Sequence, residues 1–170
     1  DEAFSFVYPH ILKSWLNNGA SIHPFSPLAD QAPDAEVDAI YLPGGYPELH
    51  AGKLAAAPRF RASMRQAANR GTAIYGECGG YMVLGEGLID AKGQNHAMLG
   101  LLPLETSFAT RKLHLGYRRL TSHTHPWRGD FAGHEFHYST ALKASGTPLF
   151  TAQNAEGDDL EPMGLVQNNI

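Results

Sequence analysis

A single cysteine, Cys78, stands among 170 residues, and one thiol can form no internal disulfide framework. Charge is also sparse: charged residues make up 18% of the chain and the formal net charge is −4. With no basic run on that background, the sequence offers no footprint for nucleic acid. No apolar run approaches the roughly 18 residues of a membrane span, and no signal-peptide pattern opens the chain. A reducing cytoplasm is therefore the expected setting, and neither nucleic acid nor membrane is an expected partner. Internal repeats and low-complexity tracts are missing as well. What remains is an ordinary soluble composition, 43% hydrophobic, long enough for one domain with a sizeable core.

The first half alternates helical and extended patterns. Val7, Ile11, Trp15 and Leu16 fall near helical spacing between Phe6 and Asn18, with Gly19 as C-cap. Ala20 to Phe25 alternates weakly, as a strand would, and Pro24, Pro27 and Pro33 then mark a loop. Asp38-Ala39-Ile40-Tyr41-Leu42 reads as a buried strand emptying into Pro43-Gly44-Gly45-Tyr46-Pro47. Pro58 opens a second helix, with Phe60, Met64, Ala67 and Ala68 on one side and Gly71 closing it. Gly71 to Tyr75 is a second buried strand. Such an order predicts an α/β fold with a mainly parallel sheet and helices on its faces. Right-handed crossovers would bring both glycine loops to one edge of the sheet. Beyond Leu88 the pattern changes to short strands at Met98–Leu104, Leu113–Ser122, Gly133–Ser139, Leu149–Ala152 and Met163–Gln167.

Cys78 sits where the second strand gives way to apolar residues at helical spacing, in Gly76-Glu77-Cys78-Gly79-Gly80-Tyr81-Met82. A lone cysteine is usually a small buried hydrophobe, yet such a residue has no need of glycines at 76, 79 and 80. A strand-to-helix turn rich in glycine lifts a nucleophile clear of the backbone. A thiol at a helix N-terminus is also expected to have a lowered pKa, because unpaired N–H groups face the thiolate. Attack on an amide carbonyl would create an oxyanion needing fixed N–H donors, each worth roughly 3–4 kcal/mol on removal. The Gly79 amide, directly after the cysteine, is one candidate. A glycine amide of the Pro43-Gly44-Gly45 loop is the other.

A cysteine hydrolase also needs a base, and nine histidines supply candidates in excess. His134 and His137 flank Glu135, and their odd spacing puts them on opposite faces of a strand. His137 reads equally as a base or substrate contact, with Glu135 beside it, and as a hydrogen-bonded structural residue. Arg111, His114, Arg118 and Arg119 form a modest basic cluster, of the kind most often found as a solvated face. His123 and His125 are two residues apart with no third ligand in view, so no metal site is expected there. On residues alone, three readings stay open: an amide hydrolase, another cysteine enzyme on a related α/β scaffold, and a binding domain of the same fold.

Four strings in order carry a resemblance. Tyr41-Leu42-Pro43-Gly44-Gly45-Tyr46-Pro47-Glu48-Leu49-His50, Gly76 to Met82, Leu113-His114-Leu115-Gly116-Tyr117-Arg118 and Gly133-His134-Glu135-Phe136-His137-Tyr138-Ser139 together resemble the glutaminase domain of class I glutamine amidotransferases. The nearer subgroup is the cobyrinic/hydrogenobyrinic acid a,c-diamide synthase family, and the resemblance spans nearly all of the chain. It implies a flavodoxin-like three-layer fold over residues 1–170, with Cys78 as nucleophile and Gly45 and Gly79 as oxyanion donors. Glutamine is the implied substrate, and a corrinoid acceptor is implied for the full enzyme. An ATP- and Mg2+-dependent synthetase domain would lie N-terminal to this chain, since no Gly-x-x-x-x-Gly-Lys-Ser/Thr phosphate loop occurs here. No cofactor is expected in the domain itself. The family's histidine partner of the cysteine resembles part of a Gly-Ser-Phe-x-His-type strand following the position of Gly164-Leu165-Val166-Gln167, and would fall after Ile170.

Overall fold

The computed structural model describes residues 1–170. A helix α1 spans Pro9–Asn17, with Pro9 in its first turn. The segment from Ala20 to Phe25, expected to be a strand, forms none. It is largely exposed, and Pro24 and Pro27 cannot donate to a ladder. Strand β1, Ala39–Leu42, and strand β2, Ala73–Gly76, pair in parallel with Leu42 opposite Gly76. Between them lie a 3-10 turn at Pro47–Leu49, a short helix α2 at Ala51–Ala55 and helix α3 at Pro58–Arg70.

Helix α3 follows the sequence closely. Phe60, Met64 and Ala67 are buried on one face at helical spacing, and Gly71 closes the helix at φ 84. Its N-cap Ala57 has no hydrogen-bonding side chain, and a distant residue caps the helix instead: the Asp30 carboxylate accepts from the Phe60 N–H at 2.9 Å. On the same helix Arg65 donates to the Leu99 carbonyl at 3.0 Å, tying α3 to the following sheet.

After β2 comes helix α4, Gly79–Leu84, then β3 Gly87–Ile89, β4 Asn95–Ala97 and β5 Leu104–Ser107. The remaining strands are β6 His114–Ser122, β7 Gly129–His137, β8 Thr140–Ala144, β9 Thr147–Gln153 and β10 Asp159–Val166. They form a two-stranded sheet β1-β2, a sheet ordered β4-β3-β5-β8 and a sheet ordered β10-β9-β6-β7. The fold is mixed α/β, and it differs from the mainly parallel sheet expected: only β1–β2 and β3–β5 pair in parallel, and every other pairing is antiparallel. After α4 the consecutive strands β3–β4, β6–β7 and β9–β10 are joined by short turns, which allow only antiparallel pairing.

A core cluster of 21 buried residues joins the parts. It draws Ile40 and Leu42 from β1, Phe60 and Met64 from α3, Val83 and Leu84 from α4, Leu99 and Leu102 from the segment between Asn95–Ala97 and Leu104–Ser107, and Leu104 from the strand that follows. Helix α4 is thus buried between β1–β2 and the second sheet, and the cysteine turn is fixed by both. No helix is long and apolar enough to cross a membrane.

Candidate functional site

Parallel pairing of β1 and β2 in register brings the Pro43–Gly45 loop and the Glu77–Gly79 turn out side by side. The Glu77 N–H continues the ladder by donating to the Leu42 carbonyl at 3.0 Å. Cys78 then takes φ 50 and ψ −112 as the N-cap of α4, a backbone state that costs a non-glycine residue on the order of 1–3 kcal/mol. The residue keeps part of its surface open to solvent, while the surrounding loops enclose much of the thiol. The sharp turn persists because α4 is buried on all sides.

The glycines around Cys78 serve close approach rather than positive φ. A Cβ on Gly80 would lie 1.9 Å from the Leu42 carbonyl oxygen, and one on Gly79 would lie 2.7 Å from Pro47 Cδ and 3.1 Å from the Gly45 nitrogen. The two candidate oxyanion donors are therefore neighbours. Gly45 is itself pressed on the N-terminal segment, where a Cβ would meet the Ala3 carbonyl oxygen at 2.2 Å. Phe6 bridges to the same loop, its N–H donating to the Gly44 carbonyl at 2.9 Å.

Electrostatics at the thiol depart from the sequence expectation. Burial pushes the Cys78 thiol above its ordinary value, the amide of Gly79 pulls it down, the Glu77 carboxylate pushes it up, and the Gly45 amide and Glu48 add smaller opposing effects. The net shift is upward, against the lowered pKa expected of a helix N-terminus. A six-residue helix contributes little dipole, and two carboxylates stand close by. Burial also raises Glu77, offset by the nearby Tyr41 hydroxyl and by His134. That hydroxyl is buried without a full hydrogen bond, yet it lies close enough to favour the Glu77 carboxylate.

An aromatic wall surrounds this end of the sheet. Tyr41 and Tyr75 stack at 6.0 Å between ring centroids, Trp127 packs on Tyr75 at 4.4 Å, and Phe6 meets Tyr46 edge-on at 4.9 Å. Burial pushes the Tyr75 hydroxyl up to about 12. Sequence reasoning missed Glu77, Glu48 and Trp127. Position beside Cys78 and within the Tyr46-Pro47-Glu48 string could have flagged the two carboxylates; nothing local flags Trp127, which arrives from a loop 49 residues after Cys78.

The structure brings Cys78, Gly45 and Gly79 together and places Glu135 and His137 in a separate cluster on the β6–β7 hairpin. His137 Nε2 is 2.8 Å from Glu135 Oε1 and its Nδ1 is 3.1 Å from the Ser139 carbonyl oxygen. No histidine nitrogen hydrogen-bonds to Cys78. His134 points to the opposite face from His137, as the odd spacing predicts.

A thiol partly open to solvent on a strained turn, with two backbone amides beside the sulfur, is suited to nucleophilic attack on a carbonyl and to holding the resulting oxyanion. Residues 1–170 match the family of CobB/CobQ-like glutamine amidotransferase domains. The chain belongs to this family. It is 55% identical over 172 aligned residues to the hydrogenobyrinate a,c-diamide synthase of Rhizobium meliloti, covering all of this chain and 40% of that protein. The enzyme of the same name from Brucella ovis is 57% identical, with 97% of the chain and 38% of the relative covered. That of Rhodobacter capsulatus is 52% identical, covering 100% of the chain and 40% of the relative. The amidotransferase chain thus spans about two fifths of the length of these curated relatives.

Proposed function

We propose that this domain hydrolyses glutamine through Cys78 and supplies ammonia to an ATP- and Mg2+-dependent synthetase region of a longer protein, in the cytoplasm. The acceptor is hydrogenobyrinate or cobyrinate, whose a and c carboxylates become amides. The observation that carries this reading is the convergence of the Gly79 and Gly45 amides beside the sulfur of a strained strand-to-helix turn that stays open to solvent on one side. The names of relatives above half identity support the acceptor. The flavodoxin-like three-layer arrangement of class I amidotransferases belongs to the same reading, with residues 1–170 as one glutaminase domain.

In this mechanism Cys78 Sγ, its proton removed by a base, attacks the side-chain carbonyl carbon of glutamine. The carbonyl oxygen becomes an oxyanion held by the Gly45 and Gly79 N–H groups. Collapse breaks the C–N bond, the nitrogen leaves as ammonia with the proton returned to it, and a γ-glutamyl thioester remains. Water hydrolyses the thioester to glutamate and regenerates the thiol. The raised thiol pKa makes the base essential, because little thiolate forms at neutral pH without one. His137 and Glu135 lie together on the β6–β7 hairpin with no hydrogen bond to the sulfur, so neither is assigned as that base.

Intact mass after incubation with the glutamine-analogue electrophile diazo-oxo-norleucine tests the reading. One adduct per chain on Cys78, prevented by glutamine, is the expected result for the full-length protein. Free alkylation of Cys78 by iodoacetamide with no adduct from the analogue would overturn it.

A further inference from the structure

We propose that His114, Glu135 and His137 form a binding site for a divalent transition-metal ion of the zinc type, a site distinct from the Cys78 turn and absent from the sequence expectation. Antiparallel pairing of β6 with β7 sets His114 directly opposite His137 and Gly116 opposite Glu135. All three chemistry-bearing side chains therefore share one face. The two imidazoles stack at 4.7 Å with planes 14° apart, and one ligand atom from each residue lies within 4.8 Å of the others.

Three features go beyond proximity. His114 Nε2 is buried and has no hydrogen-bond partner, a cost of about 1–3 kcal/mol that a bound ion removes. Both hydrogen bonds of Arg118 to Glu135 end on Oε2, at 2.6 Å from Nη2 and 3.0 Å from Nε, so Oε1 faces only His137 Nε2, at 2.8 Å. The Nδ1 of His137 lies 3.1 Å from the Ser139 carbonyl and 3.2 Å from Ser139 Oγ. When Nδ1–H donates to the carbonyl, Nε2 turns its lone pair toward Oε1, and an ion bound between the two takes the place of the proton that Nε2 carries in the other tautomer.

The outer partners are those a metal site uses. The Ser139 carbonyl accepts from His137 Nδ1 in the ligating tautomer, and a guanidinium orients the ligating carboxylate. Gly116 makes the second possible, since a Cβ there would lie 2.3 Å from Arg118 Nη1. Two imidazole nitrogens and one carboxylate oxygen suit zinc or its cobalt surrogate better than magnesium or calcium, which prefer all-oxygen shells. Bond lengths of about 2.0–2.2 Å require the two rings to tilt toward each other. With 29% of the His137 side chain and 19% of the Glu135 side chain exposed, solvent can supply a further ligand. The ion would pin the two strands of the hairpin together.

The test is Co2+ titration of the chelator-stripped full-length protein under saturating Mg2+, which occupies oxygen-only sites. One equivalent of Co2+ with visible d–d absorption, no thiolate charge-transfer band and displacement by Zn2+ is expected. His114→Ala and Glu135→Gln are expected to weaken binding at least roughly 100-fold, and Arg118→Met about 10-fold. His96→Ala, in the separate Asp90–His96 pair at 2.8 Å, leaves it unchanged. Equal Co2+ binding by wild type and His114→Ala overturns the proposal. Should the variants misfold, zinc-edge absorption of the wild type decides alone: two imidazoles with oxygen support the site, and a sulfur ligand or no retained zinc overturns it.

Discussion

At the scale of single residues, the chemistry of Cys78 is set by neighbours of opposite effect. Burial and the carboxylates of Glu77 and Glu48 hold the proton on sulfur, while the amides of Gly79 and Gly45 favour its departure. The outcome is a thiol whose pKa is raised, so at any pH its thiolate fraction is smaller than that of free cysteine. Alkylation of Cys78 by iodoacetamide is accordingly expected to accelerate with pH through a midpoint above about 8.5, the value of a free thiol. Replacing Glu77 by Gln removes the nearest negative charge while keeping the shape. The midpoint then moves down and the rate at pH 8 rises several-fold; a midpoint that stays put shows that Glu77 does not govern the thiol.

Elements explain why the site is so tightly drawn, and where sequence reading succeeds. Helix α4 presses its first turn on the end of β1 at Gly80, where a methyl group would sit 1.9 Å from a backbone oxygen. Gly80→Ala is expected to destabilise the protein by about 3 kcal/mol, the upper range for overpacking. Gly52→Ala, exposed in α2 with its nearest neighbour at 3.7 Å, is expected to stabilise by about 0.5–1 kcal/mol through helix propensity. Denaturant midpoints at unchanged slope check both. Such close approaches were legible in outline: glycines at 76, 79 and 80 marked the turn, and the apolar spacing with Gly71 marked α3, because these signals are local. The β-rich second half was less legible. Strand β8 is exposed at every residue and shows no alternation, and the pairing of His114 with His137 spans a hairpin whose register no local pattern records. Proline and exposure overrode the weak alternation of Ala20 to Phe25 for the opposite reason, since that segment has no partner strand.

At the scale of the whole molecule, the outer edge of β2 connects the end of this chain to the thiol. The Ile74 N–H donates to the Asn169 carbonyl at 2.8 Å, and the Asn169 side-chain amide donates to the Thr72 carbonyl. The first is a backbone bond and the second a side-chain bond, and the Asn168-Asn169 turn that makes them is closed by Gln167 and Ile170 exchanging backbone bonds at 3.0 and 3.1 Å, so the turn after β10 is pinned on the side of β2 away from β1. Strand β2 runs from this anchor to Gly76 and the Cys78 turn. Asn169 thereby helps hold the strand that positions the thiol. In the full-length protein, Asn169→Ala is expected to lower the glutaminase kcat by roughly 10- to 100-fold, because a shift of about 1 Å in a catalytic group costs that much. The KM for glutamine should change little, since Gly45, Gly79 and the aromatic wall are untouched. A matching loss in KM would instead tie Asn169 to the glutamine pocket, and no loss in either would show that this anchor does not position the thiol.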